Sequence, residues 1–319
     1  MSSLDPALLA AIDDLELVAR LVVEGAMTGP HRSPFHGFSA EFSQYRSYRP
    51  GDDLRHLDWK LLARTDRLYT KQFRETTNMS TVIVLDASAS MNFPALASMK
   101  HVASASMAYP VRGVSKFRYA TMIAAALAHL LITQGDAAGL MTGGDDARVY
   151  LAPRSSRAHL RAIVAGLDRL KPDGAWRPAR SIATAANLLK RRGILIVISD
   201  FYDAEAETLA EMTRAMRRGH EVVMLQVISR EELTLPYRGA VEFEDLESRA
   251  TQIIDAGAAA AGYRSAITAF LERWRTDARS AGLDHVLMMT STPPQEALRE
   301  FLIARANGRH RQAETSEAP

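Results

Sequence analysis

From about residue 80 onward, short apolar runs alternate with longer stretches of helical period. TVIVLD (81–86), DAAGLMT (136–142), GILIVISD (193–200) and EVVMLQVIS (221–229) are runs in which β-branched residues are common and polar alternation is missing. That is the pattern of strands buried on both faces of a parallel sheet. Between them lie FRYATMIAAALAHLLITQ, SRAHLRAIVAGLDRL, ARSIATAANLLKRR and EAETLAEMTRAMRRG, each with apolar positions at helical spacing. ARVYLAP (147–153) reads as an added, antiparallel strand. GAVEFEDLE and ATQIID predict a small paired element, followed by a long helix from about Ala258 to Ala281, a strand DHVLMMTS and a last helix to about Ala306. Strand and helix in this alternation predict an α/β fold with a doubly wound, mostly parallel sheet and right-handed crossovers. In such sheets functional loops gather at the carboxyl ends of the strands.

Two regions stand outside the pattern. Residues 1–78 hold one helix and then a Gly-, Arg- and Tyr-rich segment too irregular to fold alone, so it is expected to pack on the α/β domain of residues 79–306. The polar end, residues 307–319, is expected to be a disordered tail. DASASM at 86–91 recurs as VASASM at 102–107, but the second copy lacks the aspartate and six residues are far short of a structural repeat.

Composition narrows the classes of function. The 319 residues are 47% hydrophobic and 24% charged, enough to bury a full core. A net charge of +2 demands neither nucleic acid nor a membrane surface as partner. With no cysteine, disulfides, zinc-thiolate sites and thiol nucleophiles are excluded together, which fits a reducing compartment. The acidic, amphipathic N-terminus lacks the basic region and apolar core of a signal peptide, and no uncharged apolar stretch reaches the roughly 18 residues of a membrane span. The expectation is a cytoplasmic protein.

The chemistry concentrates where the first buried strand ends. Asp86, Ser88 and Ser90 in DASAS can face one point if the backbone turns there, offering three hard oxygen ligands to a cation such as Mg²⁺. Asp200, ending ILIVISD, should lie beside Asp86 if the two strands are neighbours. The plainer reading is that these residues cap the next segment. Two carboxylates from separate strand ends weigh toward the site.

DxSxS after the first strand of an open α/β sheet resembles the opening motif of von Willebrand factor A domains. The metal-ion-dependent adhesion site of that family uses this loop, a threonine from a second loop and an aspartate from a third. Asp86, Ser88 and Ser90 match the first loop and Asp200 the third, whereas DGAWRPARS puts Ala175, Trp176 and Arg177 where the threonine and its neighbour should be. Upstream, GPHRSPFHGFSAEFSQYRSYRPGDDLRHLDWKLLARTDRLYTKQF closely resembles the hallmark stretch of the bacterial domain-of-unknown-function 58 family, and GAVEFEDLE is similar to that family too. The likeness spans about residues 15–305 and implies a von Willebrand factor A (Rossmann-like) sheet with an irregular N-terminal segment packed on it. The stretch 95–115 is a departure that lengthens the loop beside the site.

Asp86 and Asp200, if adjacent and partly buried, repel each other unless something positive lies between them. A weakly bound Mg²⁺ is one solution, and the guanidinium of Arg177 or Arg180 is another. In the hallmark stretch, Glu41, Asp52, Asp53 and Asp58 alternate with Arg46, Arg49, Arg55 and Arg64, with Trp59 and Tyr48 for packing. This mixture predicts a structural ion-pair network. Its rival is a metal phosphoesterase or nuclease using Asp52, Asp53, His56 and Asp58, weakened by the arginines that would compete for those carboxylates. The chain has no G-x-S-x-G elbow, no P-loop and no H-E-x-x-H. His101, His129, His159, His220 and His285 are scattered singly. The expectation is a non-enzymatic adaptor that binds a protein partner. The family resemblance implies a MoxR-type AAA+ ATPase as companion in a chaperone-like or maturation system; the alternatives are the metal hydrolase and a scaffold with a dead site.

Overall fold

The computed structural model describes residues 4–27, 42–47, 69–73, 80–94, 113–143, 149–189, 191–202 and 205–316. The hallmark residues Glu41, Asp52, Asp53, Arg55, Asp58, Trp59 and Arg64 lie outside these residues, as does most of the 95–115 stretch.

Six strands make the central sheet: β3 (Ser80–Asp86), β4 (Ala137–Gly143), β5 (Tyr150–Arg154), β6 (Gly193–Ser199), β7 (Glu221–Ile228) and β10 (Asp284–Met289). Their order is β10-β7-β6-β3-β4-β5, parallel throughout except for β5, which pairs antiparallel with β4. Chain direction therefore reverses its march across the sheet between β3 and β6, which puts the ends of those two strands side by side. Antiparallel pairs elsewhere are β1 (Phe42–Ser47) with β2 (Tyr69–Phe73) and β8 (Ala240–Glu244) with β9 (Thr251–Asp255). The first of these gives regular structure to part of a segment expected to be irregular.

The two faces of β3 divide its side chains. Ile83 and Leu85 enter one core with Ile196, Ile198 and Leu225, while Val82 and Val84 enter the other with Leu195, Val197 and Met224. Period-two side-chain alternation on strands covered from both sides explains why the sequence shows apolar runs without alternation. The first core is covered by α2 (Leu15–Met27), α3 (Lys116–Thr133), α4 (Arg157–Arg169) and α9 (Pro294–Ser316). The second is covered by α5 (Pro178–Leu188), α6 (Glu205–Arg217) and α8 (Ala256–Ser280). No helix among the described residues is long and apolar enough to cross a membrane.

Three element boundaries differ from expectation. The N-terminal region has two helices: α1 (Pro6–Ala10) precedes α2, and the acidic break between them has Asp14 accepting from the Leu17 N–H at 3.0 Å. A short helix, α7 (Arg230–Thr234), follows β7 directly. Helix α9 runs to Ser316 rather than stopping near Ala306, so the polar end expected to be a disordered tail is helical as far as that residue.

Candidate functional site at the carboxyl edge of the sheet

Asp86 is the last residue of β3, and the strand register sets it level with Gly143 on one side and next to Ser199 on the other. Both its carboxylate oxygens are engaged. The Ser88 N–H donates to Oδ1 at 2.8 Å, and the Ser199 hydroxyl donates to Oδ2 at 2.6 Å. Ser199 in turn accepts from the Phe201 N–H at 2.9 Å, so the turn after β6 is tied to the turn after β3 through one hydroxyl. The hydroxyls of Ser88 and Ser90 lie 3.0 Å apart and share a hydrogen bond. A 3-10 turn, Ala89–Asn92, continues the chain away from the rim.

The second loop packs directly on this turn through its backbone. The Ala89 N–H donates to the Gly174 carbonyl at 2.9 Å, and the Asp173 N–H donates to the Ala87 carbonyl at 2.9 Å. Trp176 is buried over the end of β4, and its indole N–H donates to the Ser181 hydroxyl at 3.0 Å. A Cβ placed on Gly143 would lie 1.7 Å from that indole nitrogen, so the glycine makes the space the ring fills. Arg177 and Arg180 are exposed.

Asp200, 2% exposed, is neutralised by a residue the sequence reading passed over. The Lys116 ammonium, at the first position of α3 and 1% exposed, sits 2.6 Å from Asp200 Oδ2 and 2.5 Å from Glu232 Oε1. It also lies 4.8 Å from the centre of the Tyr202 ring, within range for a cation–π contact. Burial works against the ammonium, but the Asp200 and Glu232 charges outweigh it and hold its pKa above the ordinary lysine value. Glu232 is fixed in place by a capping box at α7: its Oε2 accepts from the Ser229 N–H at 2.8 Å while its own N–H donates to the Ser229 hydroxyl at 3.2 Å. The counter-ion of Asp200 is thus Lys116, which it shares with Glu232, and neither Arg177 nor Arg180, both of which are exposed.

With Asp200 ion-paired, Asp86 carries the strain of proximity. Its burial first, and then the nearby Asp200 charge, raise its pKa from 3.8 to about 7, against the hydrogen bonds from Ser199 and Ser88. The turn bearing Asp200 is itself held in an uncommon conformation. Phe201 has φ of 60°, its ring packs on Trp274 at 5.5 Å between centroids, and the Trp274 indole N–H donates to its carbonyl at 3.2 Å.

Asp86, Ser88, Ser90 and Asp200 do converge on one rim, as the spacing predicts. They do not fit Mg²⁺ in this state, because Asp200 Oδ2 is held by an ammonium and the threonine position carries Trp176, whose indole donates and cannot ligate. Sequence reasoning missed Lys116, Ser199 and Glu232. Two signals were present: S-R-E-E at 229–232 has capping-box spacing, and a lysine in the first turn of an otherwise apolar helix opposes the helix dipole unless a carboxylate awaits it. Beside the cluster a cavity of about 560 Å³ opens on the same edge, lined by Asp5, Gly113, Arg230, Glu231 and Thr290 among others.

A mostly parallel sheet in this order, with one antiparallel edge strand and a DxSxS turn ending a central strand, gives the chain a von Willebrand factor A-like fold. The chain belongs to the protein-of-unknown-function family DUF58, whose sequence profile matches residues 44–276. Uncharacterized proteins of Mycobacterium tuberculosis and Mycobacterium bovis are each 28% identical over 248 residues, covering 76% of this chain and 72% of theirs. Similar solved structures include the conserved hypothetical protein BatB from Bacteroides thetaiotaomicron, at 15% identity and a TM-score of 0.43 over 72% of this chain and 99% of that one. Another is the VWA domain of SpRpn10, at 12% identity and a TM-score of 0.40 over 69% and 93%.

Proposed function

We propose that this protein is a protein-binding adaptor whose contact surface is the carboxyl edge of the sheet around Ser90, and that its partner is a MoxR-type AAA+ ATPase in a chaperone-like or maturation system. The observation that supports this most is the gathering of Asp86, Ser88, Ser90 and Asp200 from two adjacent strand ends into one hydrogen-bonded rim, with Ser90 only partly buried. The choice of partner is what the resemblance of the stretch around Asp52 and Trp59 to the DUF58 hallmark implies. The hydrolase alternative rests on Asp52, Asp53, His56 and Asp58, which lie outside the described residues.

The test uses the full chain and a purified MoxR-type ATPase in a co-precipitation and titration assay. Ser90→Arg adds bulk and charge at the rim without entering either core, and is expected to weaken association at least tenfold at unchanged melting temperature. Association that is absent in the wild type, or indifferent to Ser90→Arg, would overturn the reading in favour of a scaffold with an inert rim. Turnover in a phosphatase and nuclease panel, lost on Asp52→Asn, would favour the hydrolase.

A further inference from the structure

The geometry points to Lys116 as the resident cation of the rim, held between Asp200 and Glu232 so that Asp200 is not free to join Asp86 in holding a divalent ion and the site works without metal. This deepens the adaptor reading and rests on it for its biological sense.

Three features carry the inference. First, the ammonium is built in. Lys116 is the first residue of α3, with Ser115 as its N-cap accepting from the Arg118 N–H at 3.2 Å, and its side chain runs through a fully enclosed path to Asp200. Second, its two carboxylate partners come from separate elements, the end of β6 and the capping box of α7, and both are buried. A lysine recruited from solvent would not arrive with a preformed second acceptor. Third, the loop that would have supplied a neutral hydroxyl ligand supplies Trp176 instead, packed in the space left by Gly143. The ammonium brings three donors, of which Asp200 and Glu232 take two, and the face of Tyr202 lies beside it. A divalent ion would have to displace this ammonium, leaving it buried with fewer partners, and such a displacement is strongly unfavourable.

The consequence is a specific inversion. The wild type should take up no Mg²⁺ or Mn²⁺ at Asp86, whereas Lys116→Ala removes the cation held between Asp200 and Glu232, frees Asp200 beside Asp86, and should create divalent-ion binding there. The experiment is a Mn²⁺ titration read by water-proton relaxation, with melting temperature followed in Mg²⁺ and in EDTA, on wild type, Lys116→Ala, and Lys116→Ala combined with Asp86→Asn. The expected result is no saturable Mn²⁺ uptake and an EDTA-insensitive melting temperature in the wild type. Lys116→Ala should bind one Mn²⁺ in the millimolar range or tighter, with a melting temperature raised by Mg²⁺, and the double variant should lose both. Should Lys116→Ala fail to fold in EDTA, recovery of the fold in Mg²⁺ would support the inference equally, and failure in both media would count against it. One-to-one Mn²⁺ binding by the wild type, or none by a folded Lys116→Ala, would overturn it. No partner is present in these titrations, so their failure and the failure of the adaptor reading are separate results.

Discussion

Buried at the end of β3, Asp86 is subject to opposing influences that make its ionisation a reporter of the whole rim. Burial and Asp200 raise its pKa to about 7, while Ser88 and Ser199 hydrogen-bond the charged form. The native state therefore holds a proton that the unfolded chain releases near 3.8, and between those values ν of the native state exceeds that of the unfolded one. Asp86 thus contributes stability that is complete below about pH 4 and is lost as pH rises through about 7. At about 1.4 kcal/mol per pKa unit, the loss has an upper bound of about 4 kcal/mol. Asp86→Asn cannot ionise, so it is expected to melt at higher temperature than wild type at pH 8 and to lose that advantage at pH 5; calorimetry across this range checks it. Glu232→Gln keeps the shape of the capping box but removes one of the two charges on Lys116. Its expected cost is about 1.5–3 kcal/mol, as for a hydrogen bond to a charged group, measured by urea denaturation at pH 7.

Among the elements, the contact between β4 and the second loop is the most restrictive. Gly143 has no room for a side chain, because Trp176 already occupies the position of a Cβ. Gly143→Ala is expected to expel the indole, break its bond to Ser181 and shift tryptophan fluorescence to the red, with a stability loss of about 1–3 kcal/mol from overpacking. These contacts also show which parts of the molecule could be read beforehand. Strands β3, β6 and β7 were legible because both faces are buried and each residue is apolar for its own reason, Val82 and Val84 toward one core, Ile83 and Leu85 toward the other. The antiparallel edge strand and the β8–β9 pair were legible for similar local reasons. The meeting of Asp86 with Asp200 followed from strand adjacency alone. Lys116 was legible only as a misplaced charge in the first turn of an apolar helix; its partners were not, because they come from positions far along the chain. The β1–β2 pair was hidden in a stretch whose Gly, Pro and charged residues dominate its composition.

The N-terminal helices bind the molecule together from the far side of the first core. Leu15, Val18 and Val22 of α2 are wholly buried against the cluster that contains α3, the helix that carries Lys116. At about 1.5–3 kcal/mol for each large side chain, their burial is on the order of 5–9 kcal/mol, comparable with the net stability of a whole domain. Hydrogen bonds direct the same contact. The Arg118 guanidinium donates to the Ile12 carbonyl at 2.6 Å, the Gln295 amide donates to the Leu4 carbonyl at 3.2 Å, and the Arg299 guanidinium donates to the Gly25 and Ala26 carbonyls at the C-terminal end of α2. Those last carbonyls have no partner within the helix, and a cation there also complements the helix dipole. Arg299→Ala is expected to cost about 1.5–3 kcal/mol, through charge-assisted bonds lost rather than apolar area exposed. Because the change lies at one edge of the core, its effect on the rim should be small. Hydrogen exchange gives the decisive pattern: amides of α2 should exchange faster in the variant while those of β3 and β6 keep their protection. Uniform acceleration across the sheet would mean instead that α2 and the sheet open as one cooperative unit.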